Sequence, residues 1–283
     1  MNTVATIAEL LQNAQVRLAA VSASPHLDAA VLLAEVLGKP RSYLYAWPEQ
    51  PLAADQVQHF TELVNRRLAE EPVAYIIGRR EFWSLELVVT PATLIPRPET
   101  ELLVELALER IPPDGIMRIA DLGTGSGAIA LALAWERPRV QVIATDNSTA
   151  ALTVACLNAR RLGIGNVTFR QGDWCAALQG ESFAVMVCNP PYVALTDPHL
   201  HQGELCFEPR SALVAGPDGL DAIRSITAQA MRHLQPGGWL LLEHGYDQGE
   251  QLVALLRARG FMEVMDYRDA AGIDRVACGR HPL

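Results

Sequence analysis

From residue 118 onward, short apolar runs alternate with helical stretches, and this alternation constrains the fold more than any other feature of the chain. The runs at 118–122, 140–145, 167–170, 183–188 and 239–242 are almost unbroken in their apolar character. That is the composition of strands covered on both faces, as in a parallel sheet. Helical patterns such as 128–135, 149–161 and 219–234 fall between them, which predicts an α/β sheet flanked by helices. Two late segments, near 262–267 and 275–279, suit an antiparallel pair at the end of that sheet.

The remainder reads differently. Residues 1–72 form three amphipathic helical patterns. The first starts at a capping box, Thr6 and Glu9, and carries the stripe Ile7, Leu10, Leu11, Ala14 and Leu18. The second starts at Ser24-Pro25 and is closed by Gly38, and the third begins near Asp55 and stops before Pro72. Residues 73–95 read as a connector with strand character, because Leu85, Leu87 and Val89 alternate with Glu86 and Val88. The expected domains are therefore 1–72, the connector 73–95, and 96–283.

Ligands of open α/β sheets bind at the C-terminal ends of the strands, so the loops that follow each apolar run carry the functional information. After Arg118-Ile119-Ala120-Asp121-Leu122 comes Gly123-Thr124-Gly125-Ser126-Gly127, then a helix. This arrangement lets a ligand approach the backbone beside a helix N-terminus. Gly123, Gly125 and Ala128 also satisfy the dinucleotide pattern, and Asp146, ending the next run, suits the ribose hydroxyls of either kind of cofactor. Asp121 tips the balance: a carboxylate there repels a pyrophosphate and suits the ammonium and sulfonium of S-adenosylmethionine. After the run at 183–188 stands Asn189-Pro190-Pro191-Tyr192. The prolines force an extended, stiff tetrapeptide that offers an amide, a backbone carbonyl and an aromatic face. Those groups suit a planar nitrogen-bearing acceptor, either a carboxamide or the amino edge of a base.

Together, Arg80-Glu81-Phe82-Trp83, Leu94-Ile95-Pro96-Arg97-Pro98-Glu99-Thr100, the glycine run, Asn189-Pro190-Pro191-Tyr192, Phe207-Glu208-Pro209 and Glu243-His244-Gly245 resemble the release factor glutamine N5-methyltransferases, the PrmC/HemK family. The likeness spans nearly the whole chain, with Ser126 where the family often has Thr and Tyr246 where close relatives have Trp. It implies a seven-stranded class I methyltransferase sheet of Rossmann-like form, preceded by a small helical bundle and a β-hairpin connector. It also implies S-adenosylmethionine as methyl donor, S-adenosylhomocysteine as product, and the Gly-Gly-Gln glutamine of peptide-chain release factors as acceptor. In that reading Gly123, Thr124, Gly125, Ser126 and Gly127 pass under the methionine and ribose, and Asp146 takes the ribose diol. Asp173 and Trp174 flank the adenine. Asn189 and Pro190 accept the two N–H groups of the acceptor amide, while Pro191 and Tyr192 complete the substrate face. Arg97 and Glu99 either serve the site or form a local ion pair that shapes their loop. Glu243-His244-Gly245 receives no catalytic role. The helical domain either docks the protein substrate or merely packs on the rest.

Composition limits the alternatives. Lys+Arg 23 against Asp+Glu 32 gives a net charge of −9, which disfavours general binding to a phosphate backbone. An amino-methyltransferase acting on adenine or cytosine is the nearest rival reading, followed by a nucleotide-binding module without catalysis. A nicotinamide-dependent oxidoreductase explains the glycine turn but leaves Asn189-Pro190-Pro191-Tyr192 without a role. The five cysteines show no metal-ligand spacing, and His199 and His201 near Glu204 and Glu208 read as a solvated loop, so no metal is expected. The first basic residue is Arg17 and no apolar run approaches the roughly 18 residues of a membrane span, so a cytoplasmic protein with no membrane partner is expected. The long loop 193–210 is read as the border of the substrate entrance.

Overall fold

The computed structural model describes residues 5–283 and divides into two compact units. One contains the described residues up to Gly78 together with Pro198–Phe207; the other contains Arg79–Asp197 and Glu208–Leu283.

The first unit is helical: α1 (Ile7–Leu18), α2 (Pro25–Leu37), α3 (Arg41–Ala46), α4 (Ala54–Leu68) and α5 (Val73–Ile77). The capping box forms, with the Thr6 N–H donating to Glu9 Oε2 at 2.9 Å and the Glu9 N–H donating to Thr6 Oγ1 at 3.3 Å. Ile7, Ala14 and Leu18 are buried against Leu32, Leu33 and Phe60, while Leu10 and Leu11 flank that core. Two of the five helices escape the three-helix reading. The α3 helix is only 6 residues long and α5 only 5, too short to show an amphipathic period. Residues 73–77 are thus helix and belong to this unit, so the connector does not begin at 73.

The second unit opens with an antiparallel hairpin, β1 (Arg79–Phe82) and β2 (Leu85–Val88). Its turn residues Trp83 and Ser84 both have positive φ, 51° and 58°, the twist that a two-residue hairpin turn requires. Neither residue type favours that region, and tertiary bonds hold it. The Trp83 backbone N–H donates to Glu101 Oε1 at 2.9 Å, and its indole N–H donates to Glu136 Oε1 at 2.8 Å.

The rest builds the sheet: α6 (Glu101–Glu109), β3 (Arg118–Leu122), α7 (Ala128–Glu136), β4 (Gln141–Asp146), α8 (Thr149–Leu162), β5 (Val167–Gln171), β6 (Phe183–Cys188), α9 (Asp221–Ala230), β7 (Leu234–Glu243), α10 (Gly249–Ala258), β8 (Met262–Arg268) and β9 (Asp274–Arg280). Strand order is β5-β4-β3-β6-β7-β9-β8, parallel as far as β7 and antiparallel beyond it. Apolar layers cover both faces. This is the seven-stranded, Rossmann-like sheet expected from the alternation. The helix expected over 219–234 is shorter, because β7 already starts at Leu234.

One feature of the topology positions the site. After β3 the chain winds outward through β4 and β5, then returns to place β6 on the other side of β3. Between β3 and β6 the winding reverses, and ligands of open α/β sheets bind at such a switch point. The two strands end in register, Leu122 beside Cys188. The glycine turn and Asn189 therefore leave the sheet side by side.

Candidate active site

A cleft of about 950 Å³, its open mouth included, lies over the strand ends. Gly123, Thr124, Gly125 and Ser126 form one wall, Asp146 and Trp174 another, and Asn189 and Pro191 a third. The glycine turn is fixed from behind. The Gly123 and Thr124 N–H groups both donate to the Thr145 carbonyl, at 2.8 and 2.9 Å. Gly123 has φ +71°, and a Cβ there would sit 3.2 Å from the Trp174 ring. Trp174 itself has φ +48°, an unfavourable region for a bulky residue, and its carbonyl accepts from Thr145 Oγ1 at 3.1 Å. The two residues thus define a narrow slot between turn and ring. Asp173, exposed, lies at its rim. Gly127 lies behind the wall and does not line the cleft: a Cβ there would press on Leu131 and Ala155, at 3.1 and 3.2 Å.

Asp146 has a structural task in addition to facing the cleft. Its Oδ2 accepts the Gly125 N–H and its Oδ1 the Ser148 N–H, both at 2.9 Å. Each carboxylate oxygen retains a further lone pair for a ligand hydroxyl. Asp121 departs from the sequence reading. It is fully buried, accepts the Thr124 hydroxyl at 2.6 Å, and does not line the cleft. Burial pushes its carboxyl up to about 7, although Thr124 and the Ala130 backbone pull it down. It underpins the turn and makes no direct approach to the ligand space.

The Asn189-Pro190-Pro191-Tyr192 segment is divided in its exposure. Asn189 and Pro191 reach the cleft, Pro190 is buried, and Tyr192 lines a second cavity with Arg97, Glu99, Glu243 and Arg275. Arg97 borders both spaces. The Asn189 Nδ2 donates to Thr100 Oγ1 at 3.1 Å. The Tyr192 hydroxyl donates to Glu243 Oε1 at 3.4 Å, and burial with the neighbouring Glu243 pushes the phenol upward.

Arg97 does form an ion pair, but its partner is distant in sequence. Glu208, buried, pairs with the Arg97 guanidinium and accepts the Ile95 N–H at 3.1 Å. The motifs Leu94-Ile95-Pro96-Arg97 and Phe207-Glu208-Pro209 are thereby one structural feature, since both edges of the cleft mouth are tied together. The loop 193–210 does not act as one piece: Pro198–Phe207, with His199 and His201, belongs to the helical unit, whereas Pro209 lines the cleft. Among the described residues, no group of three or more His, Cys, Asp or Glu side chains is arranged to hold a metal ion. No helix among them is long and apolar enough to cross a membrane.

Thr100, Glu243 and Glu208 were absent from the predicted site. The position of each motif beside a strand end was the signal available for Glu243 and Glu208. For Thr100, the final residue of the Arg-Pro-Glu-Thr segment, no local pattern pointed to Asn189.

Comparison with known proteins agrees with this geometry. Residues 9–78 match the family model described as the PrmC N-terminal domain, and residues 99–208 match the methyltransferase small domain. The chain is 53% identical over 264 residues to the release factor glutamine methyltransferase of Xylella fastidiosa (strain 9a5c), covering 93% of this chain and 96% of that protein. It is 51% identical over 275 residues to the protein of the same name from Coxiella burnetii (strain RSA 493 / Nine Mile phase I), covering 97% and 99%. Among solved structures, a methyltransferase from Pyrococcus furiosus shares the fold, with 19% identity and a TM-score of 0.53 over 79% of this chain and all of that one. With two such relatives matched from end to end, this chain belongs to the release factor glutamine methyltransferase family.

Proposed function

We propose that this chain transfers a methyl group from S-adenosylmethionine to the side-chain amide nitrogen of the glutamine in the Gly-Gly-Gln motif of peptide-chain release factors, tuning translation termination in the cytoplasm. The observation that carries this reading is the register of Leu122 with Cys188, which sets Asn189 beside the glycine turn at the sheet's switch point. The names of the relatives, identical at about half of all positions, supply the acceptor.

The residues of the cleft fit the donor. The slot between Gly123 and Trp174 admits a flat or thin group and has no room for a Cβ, and Asp146 has lone pairs left for a ribose diol. When bound, S-adenosylmethionine supplies an electrophilic methyl group on a sulfonium with a good leaving group.

The acceptor poses the harder problem. A carboxamide nitrogen is a poor nucleophile because its lone pair is delocalised into the carbonyl. Asn189 Oδ1 accepts one of its N–H groups, and the carbonyl of Pro190, bonded directly to cleft-lining Pro191, accepts the other. Both acceptors strengthen as positive charge develops on nitrogen, so they stabilise the transition state more than the bound substrate. Holding the nitrogen in line with the methyl group provides much of the remaining acceleration. The acidic proton of the methylated amide then leaves to water without a dedicated base. Tyr192 packs against the amide plane from the second cavity, the side from which the acceptor enters. The helical unit, matched by the PrmC N-terminal domain, docks the release factor.

Asn189→Ala separates binding from transfer. Titration calorimetry with S-adenosylmethionine gives an affinity near that of the unaltered chain, while single-turnover methylation of release factor falls roughly 100- to 1000-fold. Equal losses of affinity and rate would place Asn189 in donor binding instead.

A further inference from the structure

β7 runs parallel to β6 with Leu242 beside Cys188, so the next residue, Glu243, emerges level with Asn189. Glu243 is 1% exposed, and no hydrogen-bond partner meets its Oε2. An incompletely satisfied buried carboxyl is costly and needs a reason. Its partners supply one. The Tyr192 hydroxyl donates to Oε1, and the Thr100 hydroxyl is the other side-chain partner of the carboxyl. Thr100 Oγ1 in turn accepts the Asn189 amide N–H. Glu243 therefore stands behind two members of the Asn-Pro-Pro-Tyr segment.

The backbone of that segment is already held. Gln248 Nε2 donates to the Tyr192 carbonyl at 3.0 Å, and a Cβ on Gly219 would lie 2.2 Å from the same oxygen. What remains free is the direction of the Asn189 amide, whose oxygen and nitrogen are nearly the same size. We propose that Glu243 is a positioning residue which, through Thr100, turns the Asn189 amide so that Oδ1 faces the methyl acceptor. This inference rests on the function proposed above.

The logic is one of hydrogen-bond polarity. A threonine hydroxyl has a single hydrogen. A carboxylate can only accept, so it draws that hydrogen to itself and leaves a Thr100 lone pair facing Asn189. The Asn189 NH2 must then turn toward Thr100, which presents its oxygen to the acceptor. If the Thr100 hydrogen pointed to Asn189 instead, the amide would flip and offer N–H to N–H. Arg275, Arg97, Glu99 and Tyr192 share the cavity with Glu243, and Cys188 lies on the neighbouring strand end. Burial raises the Glu243 carboxyl to about 7, opposed by Thr100, Arg275 and Tyr192 and aided by Glu99. Protonated, Glu243 becomes a donor and the constraint on Thr100 is lost, so kcat rises with pH through this range.

Thr100 permits a mild test, because its side chain makes no capping bond at the start of α6. Methylation of release factor by the full chain is measured for the wild type, Thr100→Val, Thr100→Ser, Glu243→Gln and the Thr100→Val/Glu243→Gln double variant. Melting temperature and S-adenosylmethionine affinity are followed in parallel. Thr100→Val and Glu243→Gln each lower kcat roughly 10- to 100-fold, with KM for S-adenosylmethionine unchanged. Thr100→Ser restores most of the turnover, and the double variant is no slower than the slower single, since both cut one relay. The pH dependence near 7 disappears in Glu243→Gln. Wild-type turnover in Thr100→Val, or effects that multiply in the double variant, overturns the relay, and the Thr100 pair decides alone if Glu243→Gln does not fold. A wild-type chain that leaves glutamine unmethylated overturns the functional reading itself and the relay with it.

Discussion

Asp121 shows how a residue can be required by a site without touching its ligand. Fully buried and raised to about 7, its carboxyl binds a proton in the folded chain at pH values where the unfolded chain has lost it. The stability it contributes is complete below the unfolded pKa near 4 and is lost as pH rises to about 7. Over that window the cost reaches on the order of 4 kcal/mol, at 1.36 kcal/mol for each tenfold change. Asp121→Asn removes the titration, so its melting temperature relative to wild type rises between pH 5 and pH 8. A constant difference across that range would contradict the assignment. At the same scale, Gly123→Ala puts a Cβ at positive φ against the Trp174 ring and lowers S-adenosylmethionine affinity by about tenfold or more. Unchanged affinity by calorimetry would show that the slot is not where the donor lies. The need for glycine here was legible in the sequence, because a strand-glycine-helix pattern has few other uses. The burial of Asp121 was not, since one-dimensional position does not say which side of a turn a carboxylate occupies.

At the scale of elements, the hairpin and the cofactor loop are joined by one amide. Asn158 on α8 accepts the Val88 N–H at 2.7 Å and donates to the carbonyls of Val88 and Ser126 at 3.0 and 2.9 Å. All its hydrogen-bonding capacity is spent on two backbone segments distant in sequence. Asn158→Leu strands those buried groups, costing roughly 3 kcal/mol in denaturant unfolding and weakening donor binding. A variant as stable as wild type would contradict that role. Strands β3, β4, β5 and β6 were readable to within a residue or so because buried parallel strands are nearly pure apolar runs. Helices α3 and α5 were not, since a turn or so of helix carries no period and is stabilised by its neighbours. The Arg97–Glu208 pair was half visible: both motifs stood out, but nothing local coupled residues so far apart.

For the whole molecule, the decisive fact is that the chain leaves the helical unit after Gly78 and returns to it for Pro198–Phe207. Arg67, 4% exposed, secures that return by pairing with both Asp28 and Glu204 at 2.8 Å. Removing it leaves the part-buried Asp28 without its cation, so Arg67→Ala destabilises the unit by roughly 3 kcal/mol and speeds proteolysis within 198–207. An unchanged digestion pattern would argue against that anchor. Segment 198–207 read as a loop because its partners lie in the helices of residues 5–78, beyond any local pattern. The central claim is that the cleft and the Asn-Pro-Pro-Tyr segment together methylate a glutamine amide. Tandem mass spectrometry of purified release factor, incubated with this chain and S-adenosylmethionine, tests it most directly. The account predicts one added methyl group on the glutamine side chain of the Gly-Gly-Gln peptide, absent with Asn189→Ala. An unmodified glutamine, from a chain shown to bind S-adenosylmethionine, would contradict it.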